Sequence, residues 1–147
     1  MDPRDTNAAG TNAERARRIF DAIWNERRPE VFDQLCAPDC LIHDPFRGTL
    51  DRTGFELLLT TASALEMQLF VDELVEAGDR IALRWSGECI VRGEPMLVTG
   101  LSLLRFRDGL LVEQWSAWDT PHFGELLGLV PHGTEAVLPF DRPSPPA

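Results

Sequence analysis

Apolar residues recur at helical spacing early in the chain and at every second position in its later half. Ala16, Ile19, Phe20, Ile23 and Trp24 fall on one stripe of a helix that starts at Thr11 or Asn12. Arg27-Arg28 falls in its last turn, where cations suit the helix dipole. Pro29 then opens a second short helix whose apolar face is Val31, Phe32 and Leu35. Asp39 to Phe46 reads as a short strand containing His43-Asp44-Pro45. Thr53-Gly-Phe-Glu56 fits a capping box that starts a third helix, continued by Phe55, Leu58, Leu59 and Ala62.

From Gln68 the period changes to two. Residues 68–77 place Leu69, Val71 and Glu73 opposite Phe70, Asp72 and Leu74. Gly78-Asp79 turns the chain, and residues 80–91 put Ile81, Leu83, Trp85, Cys89 and Val91 on one face. Arg92-Gly-Glu-Pro95 and Asp108-Gly109 are hairpin signals on either side of a long strand, Met96 to Arg107. Leu110 to Trp118 closes the sheet, and Gly124 to Leu129 suggests one short turn of helix. Helices first and hairpin-linked strands afterwards make an α+β domain over residues 12–131, its helices on one face of a curved antiparallel sheet. Residues 1–11 and the proline-rich 132–147 are expected to be flexible.

The chain has 147 residues, enough for one domain with a real core, and a net charge of −10. That charge argues against nucleic acid and anionic membranes as partners, since both need basic surface. An odd set of three cysteines, Cys36, Cys40 and Cys89, without an N-terminal apolar segment suggests reduced thiols and a cytoplasmic protein. Cys36-x-x-x-Cys40 lacks a second pair at matching spacing, so no metal is expected.

The chemistry concentrates where strands end. Trp115, Ala117 and Asp119 share one strand face. If that face lines a pocket, Asp119 is a carboxyl in an aromatic setting, suited to carry protons near neutral pH. The plain alternative is that Asp119, before Thr120-Pro121, caps the next helix. His43 and Asp44 face opposite ways, so one of them at most points into the pocket. Trp85, Trp115, Trp24 and Phe46 are candidate pocket walls for a flat substrate, with His122 at the rim. Trp118, on the other face from Trp115, is left for packing or a dimer interface.

The order helix, helix, Asp44-Pro45 strand, helix, then a meander ending in Trp115-x-x-x-Asp119 resembles the cone-shaped NTF2-like superfamily. Phe106-Arg-Asp-Gly109, Val112-Glu-Gln-Trp115, Asp119, Leu126-Leu-Gly128 and Pro131 are similar to the pattern of the SnoaL-like polyketide and ester cyclases. The resemblance implies an NTF2-like barrel around a pocket and a small hydrophobic carbonyl substrate. It implies no cofactor, and Asp119 as acid/base for an intramolecular aldol closure. Asp44-Pro45 resembles the base of ketosteroid isomerases, although the chain has no tyrosine to supply their phenolic donor. Epoxide hydrolases of this fold use an Asp-Arg-Asp set, and Arg84-Trp-Ser-Gly87 offers no Arg-x-Asp. A dehydratase, or a non-catalytic binding or dimerisation module, also fits the fold. An apolar outer sheet face implies a homodimer.

Overall fold

Thr11 caps the first helix. Its hydroxyl accepts from the Glu14 N–H, and the Glu14 carboxylate accepts from the Thr11 N–H in return. The structure, a computed structural model, describes residues 10–126 and 128. Residues 1–9 of the expected N-terminal tail and all of 132–147 lie outside them.

Helix α1 (Asn12–Arg18) runs on as a wider π-helical turn over Ile19–Asn25. All five stripe residues, Ala16 to Trp24, are buried. Asn25 then clamps the helix to the edge of the sheet. Its amide donates to Leu69 O at 2.8 Å and accepts from Leu69 N at 2.7 Å, as a neighbouring strand would. Arg27 serves the end of the first helix, donating to Asn25 O at 2.8 Å, and also reaches further. Its guanidinium reaches the carbonyls of Ala62 and Met67, tying the chain to the end of the third helix.

A 3₁₀ turn (Pro29–Val31) leads into α2 (Phe32–Leu35), then β1 (Cys36–Asp44), which begins three residues before the expected Asp39. A short strand not foreseen from the sequence, β2 (Gly48–Leu50), folds back on β1. The third helix, α3 (Arg52–Ala64), is capped by Asp51, whose Oδ1 accepts from Gly54 N, and not by Thr53. Asp51 sits one residue before the helix with extended backbone, the geometry a cap needs.

Strands β3 (Gln68–Ala77), β4 (Arg80–Val91), β5 (Glu94–Arg107) and β6 (Leu110–Trp118) complete a six-stranded sheet in the order β2-β1-β6-β5-β4-β3. The β1–β6 pair is parallel and the rest are antiparallel. Asp108 and Gly109 turn β5 into β6 with φ of 52° and 76°, the left-handed pair a tight hairpin requires. Helices α1 to α3 pack on one face of the sheet around Phe20, Phe32, Phe55, Ile81, Leu104 and Leu111. Helix α4 (Thr120–Leu126) follows β6. No helix among the described residues is long and apolar enough to cross a membrane.

Two bulges decide which side chains look inward. In β3 the register slips between Val71 and Glu73, so Leu69, Val71 and then Leu74 face the core while Glu73 is exposed. In the β5–β6 pair it slips opposite Arg105 and Phe106. Leu111 points in and, after the slip, so do Gln114, Ser116 and Trp118. Trp115 and Ala117 therefore look outward. There Glu113 joins three strands: it accepts from Arg105 at 2.8 Å and from His43 Nε2 at 2.8 Å. His43 Nδ1 meets Thr49 Oγ1 at 3.0 Å, and its ring stacks on Trp115.

At β4 and β5 the inner surface is shaped by one close approach. Trp85 lies across Gly100, where a Cβ would stand 2.3 Å from the indole Cζ2. Gly100→Ala is expected to destabilise the protein by about 1–3 kcal/mol, the usual range for overpacking a filled site. Urea unfolding followed by tryptophan fluorescence measures it; an unchanged midpoint would show that Trp85 moves aside freely.

The Arg105 hydrogen bond, and then the one from His43, hold the Glu113 carboxyl below the usual carboxylate range. A carboxyl with a depressed folded pKa stabilises the fold above its unfolded pKa, and that stability is lost as pH falls through the folded value. Glu113→Gln should therefore be less stable than the native chain at pH 7. The difference should shrink below the ordinary glutamate value of 4.5. Thermal unfolding of both proteins across that range tests it, and a difference constant with pH would contradict the assignment.

Candidate active site

Asp44 is placed by its own turn. Its Oδ1 accepts from the backbone N–H groups of Phe46 (2.9 Å) and Arg47 (2.8 Å), locking the β1–β2 connection. Its Oδ2 accepts from Trp118 Nε1 at 3.3 Å. A carboxylate has about four lone-pair positions. Oδ1 uses both of its own and Oδ2 uses one, so the remaining acceptor position is on Oδ2.

That carboxylate lines a cavity of about 170 Å³ between the helices and the inner face of the sheet. Trp24, Ala62, Leu69, Trp85 and Val98 make its buried floor. Phe46, Trp118 and Phe123 surround the Asp44 end, with Phe123 edge-on to both other rings. The polar groups of the lining are few: Asp44, Arg47, Thr61, Ser116 and the indole N–H of Trp118. This is the pattern of a small-molecule site, apolar walls with a handful of polar groups.

Ser116 owes its position to a buried chain of hydrogen bonds. Trp85 Nε1 donates to Ser102 Oγ at 3.0 Å, the two serine hydroxyls are 2.9 Å apart, and Gln114 Nε2 donates to Ser116 Oγ at 3.0 Å. Ser102 is 5% exposed, and Ser116 Oγ is the acceptor within reach of its proton. With Ser102 donating, the Ser116 oxygen receives two hydrogen bonds and its own proton is left for the cavity. Trp118 N–H and Ser116 O–H thus stand on one strand, two residues apart, on the cavity side.

The sequence-derived candidates divide between the two faces. Asp44, Phe46, Trp24 and Trp85 line the cavity. Trp115 does not: it lies on the opposite face, on an open groove with Val75, Ala82, Leu101 and Ala117. The assignment of the Trp115 face to the pocket is corrected, and the reason is the β5–β6 bulge, which gives the inward positions to Gln114, Ser116 and Trp118. Trp118, left for packing or a dimer interface, is the tryptophan of β6 that reaches the cavity. His43 belongs to the outer Glu113 cluster. Asp119 is exposed between β6 and α4, where its backbone carbonyl accepts from Phe123 N at 3.4 Å, and it does not line the cavity. His122 falls within α4, and its side chain lies outside the described structure.

Arg47, Thr61, Ser116 and Phe123 were not singled out from the sequence. Only Arg47 and Ser116 carried a signal that could have been used. Arg47 closes the turn that Asp44-Pro45 opens, and Ser116 is a polar residue facing away from Trp115.

The cysteines are thiols buried in the core. A hydrogen bond with Cys40, added to burial, pushes the Cys36 thiol up, and burial does the same for Cys89. None of the three lines the cavity.

With this geometry in view, the SnoaL-like domain family matches residues 16–114, two thirds of the chain, ending before Trp118 and Asp119. No protein of curated function matches the chain in sequence. Among solved structures, IdmH of Streptomyces antibioticus, a candidate polyketide cyclase, is 24% identical with a TM-score of 0.69, over 81% of this chain and 99% of that one. TerC, co-crystallized with polyporic acid, is 25% identical with a TM-score of 0.69, over 80% of this chain and 98% of that one. A candidate polyketide cyclase of Bacillus cereus ATCC 10987 is 20% identical with a TM-score of 0.72, over 81% of each chain. Residues 16–114, folded as a curved sheet on N-terminal helices around a cavity, place this chain in the SnoaL-like domain family.

Proposed function

We propose that the chain is a cofactor-independent acid/base enzyme acting on a small hydrophobic carbonyl compound, in the manner of a polyketide cyclase, with Asp44 as its proton carrier. The observation that carries this reading is the remaining acceptor position on Asp44 Oδ2, inside an aromatic cavity. The likeness to IdmH and TerC supports a carbonyl-rich ligand for the same cavity.

The chemistry is balanced without a cofactor. Asp44 Oδ2 takes a proton from the carbon beside a carbonyl, and the C–H electron pair becomes an enolate. The enolate carbon bonds to a second carbonyl carbon of the same molecule, giving an alkoxide. Asp44 then returns its proton to that alkoxide, so one carboxyl serves as base and acid in turn. Ser116 O–H is the group placed to hydrogen-bond the oxygen on which charge collects. Isomerisation or dehydration would begin with the same proton abstraction. Asp119 takes no part in this scheme, being exposed and off the cavity lining.

The first half of the scheme can be read without knowing the natural substrate. In D₂O the protein should exchange the α-protons of an aryl-fused ketone such as 2-tetralone faster than buffer does, as followed by proton NMR. Asp44→Asn should lower that exchange by about 10²-fold or more, the usual worth of a positioned base. Asp119→Asn should leave it within a few-fold. Loss of exchange in Asp119→Asn with Asp44→Asn active would reverse the assignment, and no exchange above buffer would favour a binding module.

The outer face supports a homodimer. Leu101 and Val75 are each 61% exposed on this side of the sheet, in the groove with Trp115. A second copy covering them would remove a large apolar area from water. Light scattering after size exclusion should give twice the chain mass, and Leu101→Glu should give the single chain. A native protein that runs as a single chain would overturn the dimer.

A further inference from the structure

Arg47 is the cation of the cavity lining. It leaves the β1–β2 turn directly after Phe46, and its guanidinium donates to Thr61 Oγ1 on α3 at 3.0 Å. Arg47 and Thr61 both line the cavity, so the side chain spans from the sheet to the helix at the cavity's exposed end. Several arginines of this acidic chain, net charge −10, pair with a carboxylate. Arg28, Arg52, Arg80, Arg84, Arg105 and Arg107 each have a carboxylate partner. Arg47 has a neutral hydroxyl instead and no acidic partner among the described residues. The nearest acid in sequence, Asp44, spends its hydrogen bonds on two backbone N–H groups and an indole.

Thr61 takes one terminal nitrogen of the fork. A guanidinium carries five N–H donors, so Nε and the other terminal nitrogen keep theirs. Phe46 and Trp118 line the same cavity as Arg47, so a ligand can meet those donors and the aromatic walls together. We propose that Arg47 selects ligands with an anionic oxygen, a carboxylate or an acidic enol, at the end that stays at the cavity mouth, while an apolar ring fills the aromatic floor. This rests on the reading of the cavity as the ligand site and adds its substrate class. It does not depend on Asp44 being the proton carrier.

The two probes are 2-naphthoate and its methyl ester, which share a ring and differ in charge. Binding is followed on the indole N–H signals of ¹⁵N-labelled protein, three of which belong to cavity residues, Trp24, Trp85 and Trp118. The carboxylate should bind about tenfold more tightly than the ester, the factor of one charge-assisted hydrogen bond. Arg47→Gln should erase that preference while leaving the ester within about twofold, and Arg47→Lys should keep part of it. Equal affinities in the native protein, or a preference that survives in Arg47→Gln, would overturn the proposal. Absence of indole shifts with both probes would overturn it together with the cavity reading. An anion preference lost in Arg47→Gln while Asp44→Asn leaves proton exchange unchanged would keep this inference and remove the proton carrier.

Discussion

The cavity exists because an indole can lie flat where a side chain is missing. Trp85 crosses the sheet over Gly100, and its N–H is fixed by Ser102. That bond joins the indole to the two serine hydroxyls, 2.9 Å apart, of which Ser116 lines the cavity. Without the glycine the ring would be pushed off the sheet into the volume a ligand needs. Without the hydroxyl an indole N–H would be buried unpaired, at a cost of roughly 1–3 kcal/mol. Shape and polarity at the site thus come from one packed side chain.

The periodic parts of this architecture were legible in the sequence. The stripe from Ala16 to Trp24, the alternation from Ile81 to Val91, the hairpin at Asp108-Gly109 and the opposite facing of His43 and Asp44 all follow from fixed repeats of 3.6 and 2. Bulges were not legible, because one extra residue reverses parity without changing composition. The slip in β6 handed the inward positions to Gln114, Ser116 and Trp118 and sent Trp115 outside. Reading apolar as inward failed there for a physical reason. On the inner side Gln114 donates to Ser116, and the outward tryptophan is stacked on by His43. Caps were equally local: Asp51 and Thr53 both suit a helix start, and only the backbone before Arg52 decides between them.

The two carboxylates weighed for chemistry differ in what surrounds them rather than in kind. Asp119 is an exposed residue between β6 and α4, its backbone carbonyl accepting from Phe123 N. Asp44 is gripped by the turn it creates. Proline at position 45 favours that turn, and the turn supplies the two N–H groups that orient the carboxylate. A residue that reads as a turn former therefore also reads as an oriented base, because the same hydrogen bonds do both. The plain and the functional readings of Asp44 do not compete.

Charge completes the argument. An apolar cavity in a strongly acidic chain would ordinarily repel an anion, and long-range repulsion of that kind is screened beyond roughly 10 Å at ordinary salt. Inside that distance the ligand meets Arg47, Asp44 and the neutral polar groups of Thr61, Ser116 and Trp118. Taking a proton from the ligand would make Asp44 neutral and the ligand negative, so the negative charge would move rather than grow. Arg47 and the Ser116 hydroxyl would then face that charge from the mouth and from the sheet. A site with one acid, one cation and apolar walls conserves its net charge through enolate formation, and this is the condition under which such a step needs no metal to balance it.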